Sequence, residues 1–368
     1  MAGESEPVIE IDGSYGEGGG QVLRTALALS AITGQSVRIE RIRAGRRNPG
    51  LAPQHLTGVL ALAEICGAET RGAAIGSTEL LFQPGSKPRP GTYVFDVAGA
   101  AGRGSAGSVT LLLQTLLLPL ALAQGESRLT LKGGTHVPWS PPFDYLAHVY
   151  LPMMARMGVK ADCRLDAWGF YPAGGGQMTV DIDGESRALA SLSLLERGDL
   201  KRVLGAAVAC NLPAHIAQRI ANRARNVLVD AGLPADVTPK RERDAAPGAG
   251  LFLVAEYEHS LAGFSALGAK GKPSEQVADE ACRDLLAHHA GGAPVDEHLA
   301  DQLLLPMALA AGRSEFRAAR VTPHLLTNAH VIKQFIPARI EVGGSEEEPG
   351  TIVIARRGSA TTDLPAAG

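Results

Sequence analysis

Short strand-like runs alternate with helix-like runs along most of this chain, and this alternation constrains the fold more than any other feature of the sequence. Residues 8–12 (VIEID) alternate in polarity and lead into a glycine cluster, after which residues 21–32 carry apolar side chains at helical spacing. Such alternation is typical of α/β proteins. Further strands are predicted at 36–42, at 80–83 and 92–97 as a closing pair, at 128–132 and near Val159 and Met178, and further helices at 54–66, from Ser108 onward and at 143–157.

Glycine-rich junctions recur at 16–20, 133–134 and 174–176. This recurrence is compatible with two or more copies of a βαβ unit. The period is too degenerate for one sequence to establish a repeat.

The character of the chain changes between about residues 192 and 293. This segment has two charged helix-like stretches, 214–233 and 274–289, and the hydrophilic loop 239–248. The change predicts a small α/β domain inserted into a larger one. Beyond it, a helix is predicted at 299–311, residues 331–340 and 350–355 close the chain, and the small and polar residues 358–368 are expected to fray.

The overall composition excludes several classes of protein. Apolar residues make up 45% and charged residues 20%, as in globular proteins, so wholesale disorder is excluded. A net charge of −3 cannot recruit nucleic acid through a global positive field, so we expect no readout of duplex DNA, and any RNA must be held by a local patch. At 4%, aromatic residues are too scarce for the base-stacking platforms of single-strand binders.

Three features predict a soluble cytoplasmic protein without a membrane partner. The four cysteines form no C-x-x-C pair, which suits reduced thiols and gives no zinc or disulfide framework. The N-terminal segment MAGESEPVIE is acidic and lacks the apolar core of a signal peptide. The longest apolar run, 109–123, is interrupted by Thr110, Gln114, Thr115 and Pro119 and falls short of the ~18 clean residues of a membrane helix, so we interpret it as a buried helix.

The glycine cluster around Glu17 is the first candidate site. Four glycines surround this acid just before a predicted helix, where backbone N–H groups can face an anion. Glu17 could hold a divalent metal beside a phosphate, with Gln21 and Arg24 on the first two turns of the helix. The segment is not a P-loop, and the alternative interpretation is a plain tight turn.

An arginine-rich loop is the second candidate. Residues 41–50 contain four arginines in seven residues beside Gly and Pro, and Gln54 and His55 follow. Guanidinium forks on such a loop suit the clamping of phosphates. The alternative is a solvated loop, although so concentrated a basic run in an acidic protein favours function.

Two shorter blocks complete the candidates. Asp301 and Gln302 lie near the start of an apolar helix, where such residues are commonly partners of the helix dipole. His324 follows a turn and precedes a helix-like run, and it could be a base, a ligand, a nucleophile or a surface histidine. From local pattern alone, the dipole partner and the surface histidine are the default interpretations.

Five blocks, taken together, carry a family resemblance. They are GEGGGQVLR, IRAGRRNPGLAPQHL, GFYPAGGG, HLADQLLLPMALA and HLLTNAHVIKQFIP. In order and spacing, from about residue 9 to residue 345, the chain resembles the RNA 3′-terminal phosphate cyclase family.

The resemblance implies an ATP-dependent, nucleotidyl-transferring ligase that acts on RNA 3′-phosphate ends. A histidine attacks the α-phosphate of ATP to give a covalent histidine–AMP intermediate, and AMP then passes to the RNA 3′-phosphate. The neighbouring 2′-OH closes the 2′,3′-cyclic phosphodiester and expels AMP, which requires RNA. The HLLTN block places His324 in the position of the nucleophile, and Glu17 matches the acid that contacts a divalent metal, Mg or Mn.

The resemblance also implies the residues of the binding pocket. Gln21, Arg24, Arg43 and Gln54 match polar residues around the phosphates and the RNA end, whereas the match of Arg46 is weaker because Arg47 stands next to it. The nucleotide pocket would be formed by Gln114, Pro141, Tyr145, His298, Asp301 and Gln302. His298 stands where the better-known bacterial pattern has tyrosine, and Tyr145 where phenylalanine is expected. The predicted catalytic set is His324, Glu17, Arg24, Arg43, Gln54 and Asp301.

The family's fold implies a large domain of three βαβαββ-like repeats, with a small α/β domain inserted in the third. We expect the large domain at 1–192 and 293–345, the insert at 193–292 and a C-terminal strand with a frayed tail at 346–368. Two alternatives remain: a non-catalytic cyclase-like ribosome assembly factor, whose relatives lack the histidine, and an enolpyruvyl transferase-like enzyme, whose pattern lacks HLLTN. The sequence leaves the oligomeric state and activity on 5′-phosphates open.

Overall fold

The computed structural model describes residues 7–100, 106–185, 188–244 and 246–356 of the chain. Helices and strands alternate over these residues, which confirms the predicted α/β class. The described strands form four sheets of four strands each. Three of these sheets share one strand order, and the fourth belongs to a segment between the first two strands of the third sheet.

The first sheet is built by one βαβαββ unit. Its elements are β1 Ile9–Asp12, α1 Gly20–Thr33, β2 Val37–Glu40, α2 Pro53–Cys66, β3 Glu69–Arg71 and β4 Leu80–Gln83. The strand order is β1-β2-β4-β3, with β1 parallel to β2 and the other two pairings antiparallel. Helix α1 is buried on most sides because it packs against α2 and the helices of the two later units.

The second unit repeats this arrangement. Its elements are β5 Thr92–Asp96, α3 Val97–Ala100, α4 Val109–Ala121, β6 Gln124–Gly133, α5 Phe143–Tyr145, a π-helical turn Leu146–Tyr150, α6 Leu151–Ala155, β7 Lys160–Ala167 and β8 Gly176–Glu185. The strand order β5-β6-β8-β7, again with a parallel first pair, is equivalent to that of the first unit.

The third unit begins with β9, Ser193–Leu194, and is then interrupted. The inserted elements are β10 Leu200–Cys210, α7 Ala214–Asp230, β11 Ala235–Glu242, β12 Gly248–Tyr257, β13 Leu261–Leu267 and α8 Ser274–Gly291. They form a sheet of their own in the order β11-β10-β12-β13. The third unit resumes with α9 Glu297–Leu309, β14 Arg313–Ala318, α10 Pro323–Phe335, β15 Ala338–Gly343 and β16 Gly350–Arg356, and its order is β9-β14-β16-β15.

The repeated topology confirms the predicted fold of three βαβαββ units with an insert in the third. The buried apolar side chains of the three units form one continuous cluster, and those of the insert form another. Because each cluster can exclude water independently, we propose that the insert is a domain in its own right. Its predicted start at residue 193 is two residues early, since Ser193 and Leu194 pair with Glu315 and Phe316 of the third sheet.

Two predictions about strands were wrong. The runs at 80–83 and 92–97 do not pair: β4 lies between β2 and β3, whereas β5 pairs with β6 in another sheet. A strand-like pattern identifies a strand but not its partner, which is set by the packing of the whole unit. The first residues of the predicted loop 239–248 continue β11, because Lys240, Arg241 and Glu242 pair with the end of β10.

The C-terminal strand expected within 346–368 is β16, and it is a central strand of the third sheet, between β14 and β15. Residues 331–335 end helix α10, and β15 begins at Ala338. The predicted fraying of 358–368 falls outside the described residues.

Helix α4 is buried along almost its whole length, which confirms that the long apolar run is an interior helix. Ser108 caps it by accepting a hydrogen bond from the Leu111 N–H. In the part of the chain that is described, no helix combines the length and the apolar character needed to cross a membrane.

Candidate active site

A glycine turn joins β1 to α1 and holds Glu17. Gly16 has a φ of 62°, and a Cβ at this position would overlap the hydroxyl oxygen of Thr327 on α10. Gly19 has no side chain with which to cap α1, and a Cβ there would overlap Glu17 Oε1. Only glycine therefore allows the turn to approach α10 this closely while leaving the first N–H groups of α1 open to a ligand.

Glu17 and His324 are in direct contact at the centre of the site. His324 is the second residue of α10, whose first turn is capped by the Thr322 hydroxyl and begins with Pro323. Its Nε2 lies 3.0 Å from Glu17 Oε2, and Arg46 Nη2 lies 3.2 Å from the same oxygen. Glu17 Oε1 is buried and, among the described residues, has no hydrogen-bond partner.

These contacts shift the pKa values of both groups. The hydrogen bond to Glu17 raises the pKa of His324 above its ordinary value, against the opposing effect of burial. Burial alone would raise the pKa of Glu17, but the hydrogen bond and charge of His324 together with Arg46 lower it below the usual range. The pair therefore favours an ionised carboxylate beside a protonated imidazole when no ligand separates them.

Asp301 lies on α9 close to this pair. Burial raises its pKa to about 6, although His324, His298 and Arg24 oppose the shift through their positive charge. Its backbone oxygen accepts a hydrogen bond of 2.7 Å from Asn328 Nδ2, and Asn328 Oδ1 accepts one from Thr25. These bonds join α9, α10 and α1. Asn328 was not among the predicted site residues, although an amide on the apolar face of a helix was a usable signal.

Arg24 is half-buried in the second turn of α1. Burial lowers its pKa to about 10, against the nearby charges of Asp301 and Glu17, so the guanidinium remains charged at neutral pH. It donates a hydrogen bond to Gln21 Oε1. A small cavity of about 30 Å³ beside it is lined by Gln21, Arg24, Gln114, Gln302 and Asn328, among others. Gln114 Nε2 and Gln302 Oε1 are buried there and, within the described residues, make no hydrogen bond.

In the arginine loop, residues 41–50, some side chains bond to the surrounding fold and another contacts the candidate site. Arg41 forms a two-bond ion pair with Asp12, and Arg43 Nη1 donates a hydrogen bond of 2.8 Å to the backbone oxygen of Gly50. Arg41 and Arg43 both have positive φ, at 51° and 54°. Of Arg46 and Arg47, Arg46 forms the ion pair with Glu17. Backbone strain at non-glycine residues is characteristic of functional loops.

Gln54 and His55 begin α2 next to this loop. Gln54 Oε1 accepts a hydrogen bond of 3.0 Å from the N–H of Ser108, at the start of α4. His55 is buried, and its Nδ1 accepts a bond of 3.3 Å from the Ala52 N–H. Burial, reinforced by the charges of Arg24 and Arg43, lowers the pKa of His55 to about 3. His55 is therefore a neutral imidazole between two arginines, a role that its place in the motif did not reveal.

Several residues predicted for a nucleotide pocket lie around the start of α9. Tyr145 is buried, and its hydroxyl donates a bond of 2.8 Å to Asp296 Oδ1, which also caps α9 by accepting from the N–H groups of His298 and Leu299. The rings of Tyr145 and His298 are arranged edge to face, with 6.4 Å between their centroids. The backbone oxygen of Pro141 accepts a bond of 2.6 Å from Thr110. Asp296 was missed, although an aspartate directly before a helix is a common capping signal.

Contacts thus connect the predicted residues into one region between the three units. The family model described as RNA 3′-terminal phosphate cyclase matches residues 15–342 of the chain. The chain belongs to the RNA 3′-terminal phosphate cyclase family. The match includes every residue of the candidate site, from Glu17 to His324.

Curated relatives agree with this assignment. An RNA 3′-terminal phosphate cyclase of Trichormus variabilis is 58% identical over 339 residues, which cover 92% of this chain and 97% of the relative. One of Methylococcus capsulatus is 54% identical, covering 94% and 96%. One of Ignicoccus hospitalis is 44% identical, covering 93% and 97%. The chain therefore spans nearly the full length of these cyclases.

Proposed function

We propose that this protein is an ATP-dependent RNA 3′-terminal phosphate cyclase, which converts an RNA 3′-phosphate into a 2′,3′-cyclic phosphodiester. Relatives carrying that name match it over nearly their whole length. The observation that carries the proposal is the contact between His324 and Glu17, with Arg46 on the same carboxylate. A histidine nucleophile beside a carboxylate and several arginines suits transfer of a phosphate-bound group.

In the first step, His324 Nε2 attacks the α-phosphorus of ATP. A P–N bond forms, the bond to the β-phosphate oxygen breaks, and pyrophosphate leaves. Because the contact of 3.0 Å with Glu17 Oε2 favours a protonated His324, Nε2 has to lose its proton to solvent and the carboxylate has to move away before the nitrogen can attack. The side chain of His324 is 47% exposed, so it is open to a ligand. Arg24, which remains cationic, stabilises charge on the phosphates.

In the second step, an oxygen of the RNA 3′-phosphate attacks the adenylyl phosphorus, and the P–N bond to His324 breaks. In the third, the adjacent 2′-OH attacks the RNA phosphorus, loses its proton and expels AMP. We assign the RNA phosphate to Arg43 and Gln54, because Arg43 is close enough to lower the pKa of His55 and Gln54 lines the same small cavity as Arg24 and His55. The neutral His55 adds no charge to this already basic pocket.

Glu17 is a suitable ligand for a divalent cation, Mg²⁺ or Mn²⁺. Its Oε1 is buried and receives no hydrogen bond from the described part of the chain. No cluster of three or more His, Cys, Asp or Glu side chains able to hold a metal occurs in residues 7–100, 106–185, 188–244 or 246–356. Mg²⁺ is commonly held by one or two carboxylates together with substrate phosphates. We therefore propose Glu17 as its protein ligand; the bound cation would neutralise phosphate charge.

The adenine and ribose would bind between α9 and the start of the 143–155 helical stretch. Gln114 and Gln302 offer a free donor and a free acceptor in one cavity, and Asp301 precedes Gln302 on α9. His298 is 68% exposed at the side chain and faces the edge of Tyr145, so its ring can cover a base.

The experiment is a cyclisation assay with an RNA oligonucleotide that ends in a 3′-phosphate, in the presence of ATP and Mg²⁺. The expected product has a 2′,3′-cyclic end. A matched oligonucleotide whose last sugar lacks the 2′-OH should stop at the adenylylated end. His324→Ala should abolish both products, while His215→Ala, at an exposed position on α7, should retain them. Cyclisation by His324→Ala would refute the proposed mechanism.

A further inference from the structure

Trp139 is the most exposed large apolar side chain among the described residues. It is 94% exposed, whereas the next most exposed, Tyr171 and Val229, are each 62% exposed. Its backbone also has a φ of 61°, which is rare for a bulky residue. An indole that stays in water gains no free energy from burial on folding, and a strained backbone costs free energy, so neither feature is explained by the stability of the chain.

The loop that carries Trp139 is rigidly held at its base. The Phe143 N–H donates a hydrogen bond of 3.0 Å to the backbone oxygen of Thr135, which closes the loop. Inside it, the Ser140 hydroxyl donates to the backbone oxygen of Val137 at 3.1 Å. Prolines at 138, 141 and 142 stiffen the chain further. The indole is therefore presented outward by a fixed support.

A chain of contacts connects this loop to the phosphate side of the candidate site. The Thr110 hydroxyl donates to the backbone oxygen of Pro141, two residues from Trp139, and Thr110 is bonded to Ser108 at 2.8 Å. The N–H of Ser108 donates to Gln54. Trp139 thus lies on the rim of the same site, next to the segments that carry Gln54 and the proposed adenine surface.

We propose that Trp139 stacks on a base of the RNA substrate that lies upstream of the two nucleotides at its 3′-phosphate end. This inference rests on the proposed function and adds a subsite for the RNA chain. An indole face stacks on any nucleobase without reading its sequence, and this suits an enzyme that acts on RNA ends. The adenine of ATP is a less suitable partner, because a side chain exposed this fully lies outside an enclosed pocket. The low aromatic content is no obstacle, since a single stacking position is sufficient.

Binding can be tested independently of catalysis by fluorescence. The chain has two tryptophans, so Trp168→Phe leaves Trp139 as the only indole. RNA with a 3′-phosphate should quench this emission, and a dinucleotide too short to reach the rim should not. If the long RNA binds without quenching Trp139, the inference is wrong.

Kinetics supply the second test. Trp139→Ala should raise the KM of a ten-nucleotide substrate by roughly 5-fold to 150-fold, as expected for one lost base stack, with kcat nearly unchanged. The KM of the dinucleotide should not change in Trp139→Ala. For the ten-nucleotide substrate, Trp139→Phe should have a KM close to that of the wild type, because phenylalanine can still stack on a base. Val229→Ala, on the insert, should behave as wild type. An equal rise of KM for both substrates would contradict the inference.

Formation of the AMP adduct separates this inference from the proposed function. Trp139→Ala should form the adduct with ATP at the wild-type rate. A slower adduct in this variant would assign Trp139 to the nucleotide and overturn the inference. An absent adduct in the wild type, together with retained quenching by RNA, would instead refute the proposed function alone.

Discussion

His55 should make the folded protein sensitive to acid. Its imidazole is buried between Arg24 and Arg43, and burial and these charges lower its pKa from 6.5 to about 3. Below pH 6.5 the unfolded chain binds a proton at His55 that the folded protein does not take up. Stability from this residue is therefore complete above pH 6.5 and decreases as the pH falls toward 3.

The loss of unfolding free energy at acid pH can be calculated from the shift in the pKa of His55. Each unit of pKa corresponds to about 1.4 kcal/mol, so at pH 5, about 1.5 units below the unfolded value, His55 should cost about 2 kcal/mol of unfolding free energy. Asp301 acts in the opposite direction, because its pKa is raised to about 6 in the folded protein. Its contribution to the unfolding free energy therefore increases as the pH falls from 6 toward 3.8. The wild-type curve alone therefore does not isolate His55.

The assay compares urea unfolding of the wild type and His55→Asn at pH 7 and pH 5. The asparagine oxygen can accept the Ala52 N–H as Nδ1 does, so the variant should lose about 2 kcal/mol less than the wild type between these pH values. His215→Asn, at an exposed position on α7, is the control and should follow the wild type. An identical pH dependence of His55→Asn and wild type would refute the claim that His55 is buried and neutral.

Three further variants test the site. Glu17→Gln should slow formation of the AMP adduct roughly 100-fold, because it removes the anionic oxygens proposed for the cation; the adduct rate by intact mass checks this, and a normal rate would exclude the role. Arg43→Ala should raise the KM for the RNA 3′-phosphate about 10-fold or more, through loss of a charge-assisted hydrogen bond; unchanged kinetics would contradict the phosphate clamp. Gly16→Ala should lower the unfolding free energy by about 1–2 kcal/mol or more, since it combines positive φ with overlap against Thr327; unchanged stability in urea would show that the turn does not need glycine.

Much of the secondary structure could be predicted because periodicity is a local property. The run at 128–132 and the helical stretch from Phe143 to Ala155 lie where the pattern places them. Strand partners could not be predicted, as β4 and β5 show, because pairing depends on how an entire unit packs. The three repeats could not be recognised from the sequence because the third one is interrupted. Its first strand, β9, has only two residues, and the insert follows it directly.

The residues of the candidate site could be selected from motifs, whereas the contacts between them could not be predicted. Motifs identified Glu17 and His324, but the sequence contains no sign that their side chains lie 3.0 Å apart. Such proximity arises from residues 307 positions apart, brought together by the packing of α1 on α10. Asp296 was missed because its partner Tyr145 lies 151 positions away. His55 was missed because its burial and two flanking arginines depend on tertiary packing.

The most direct test of the central claim is the intact mass of the purified protein after incubation with ATP and Mg²⁺, with His324→Ala measured alongside. The account predicts an acid-labile AMP adduct on the wild type and none on the variant. An adduct of equal amount on His324→Ala, or a wild type that stays unmodified with either Mg²⁺ or Mn²⁺, would contradict the assignment of His324 as the nucleophile.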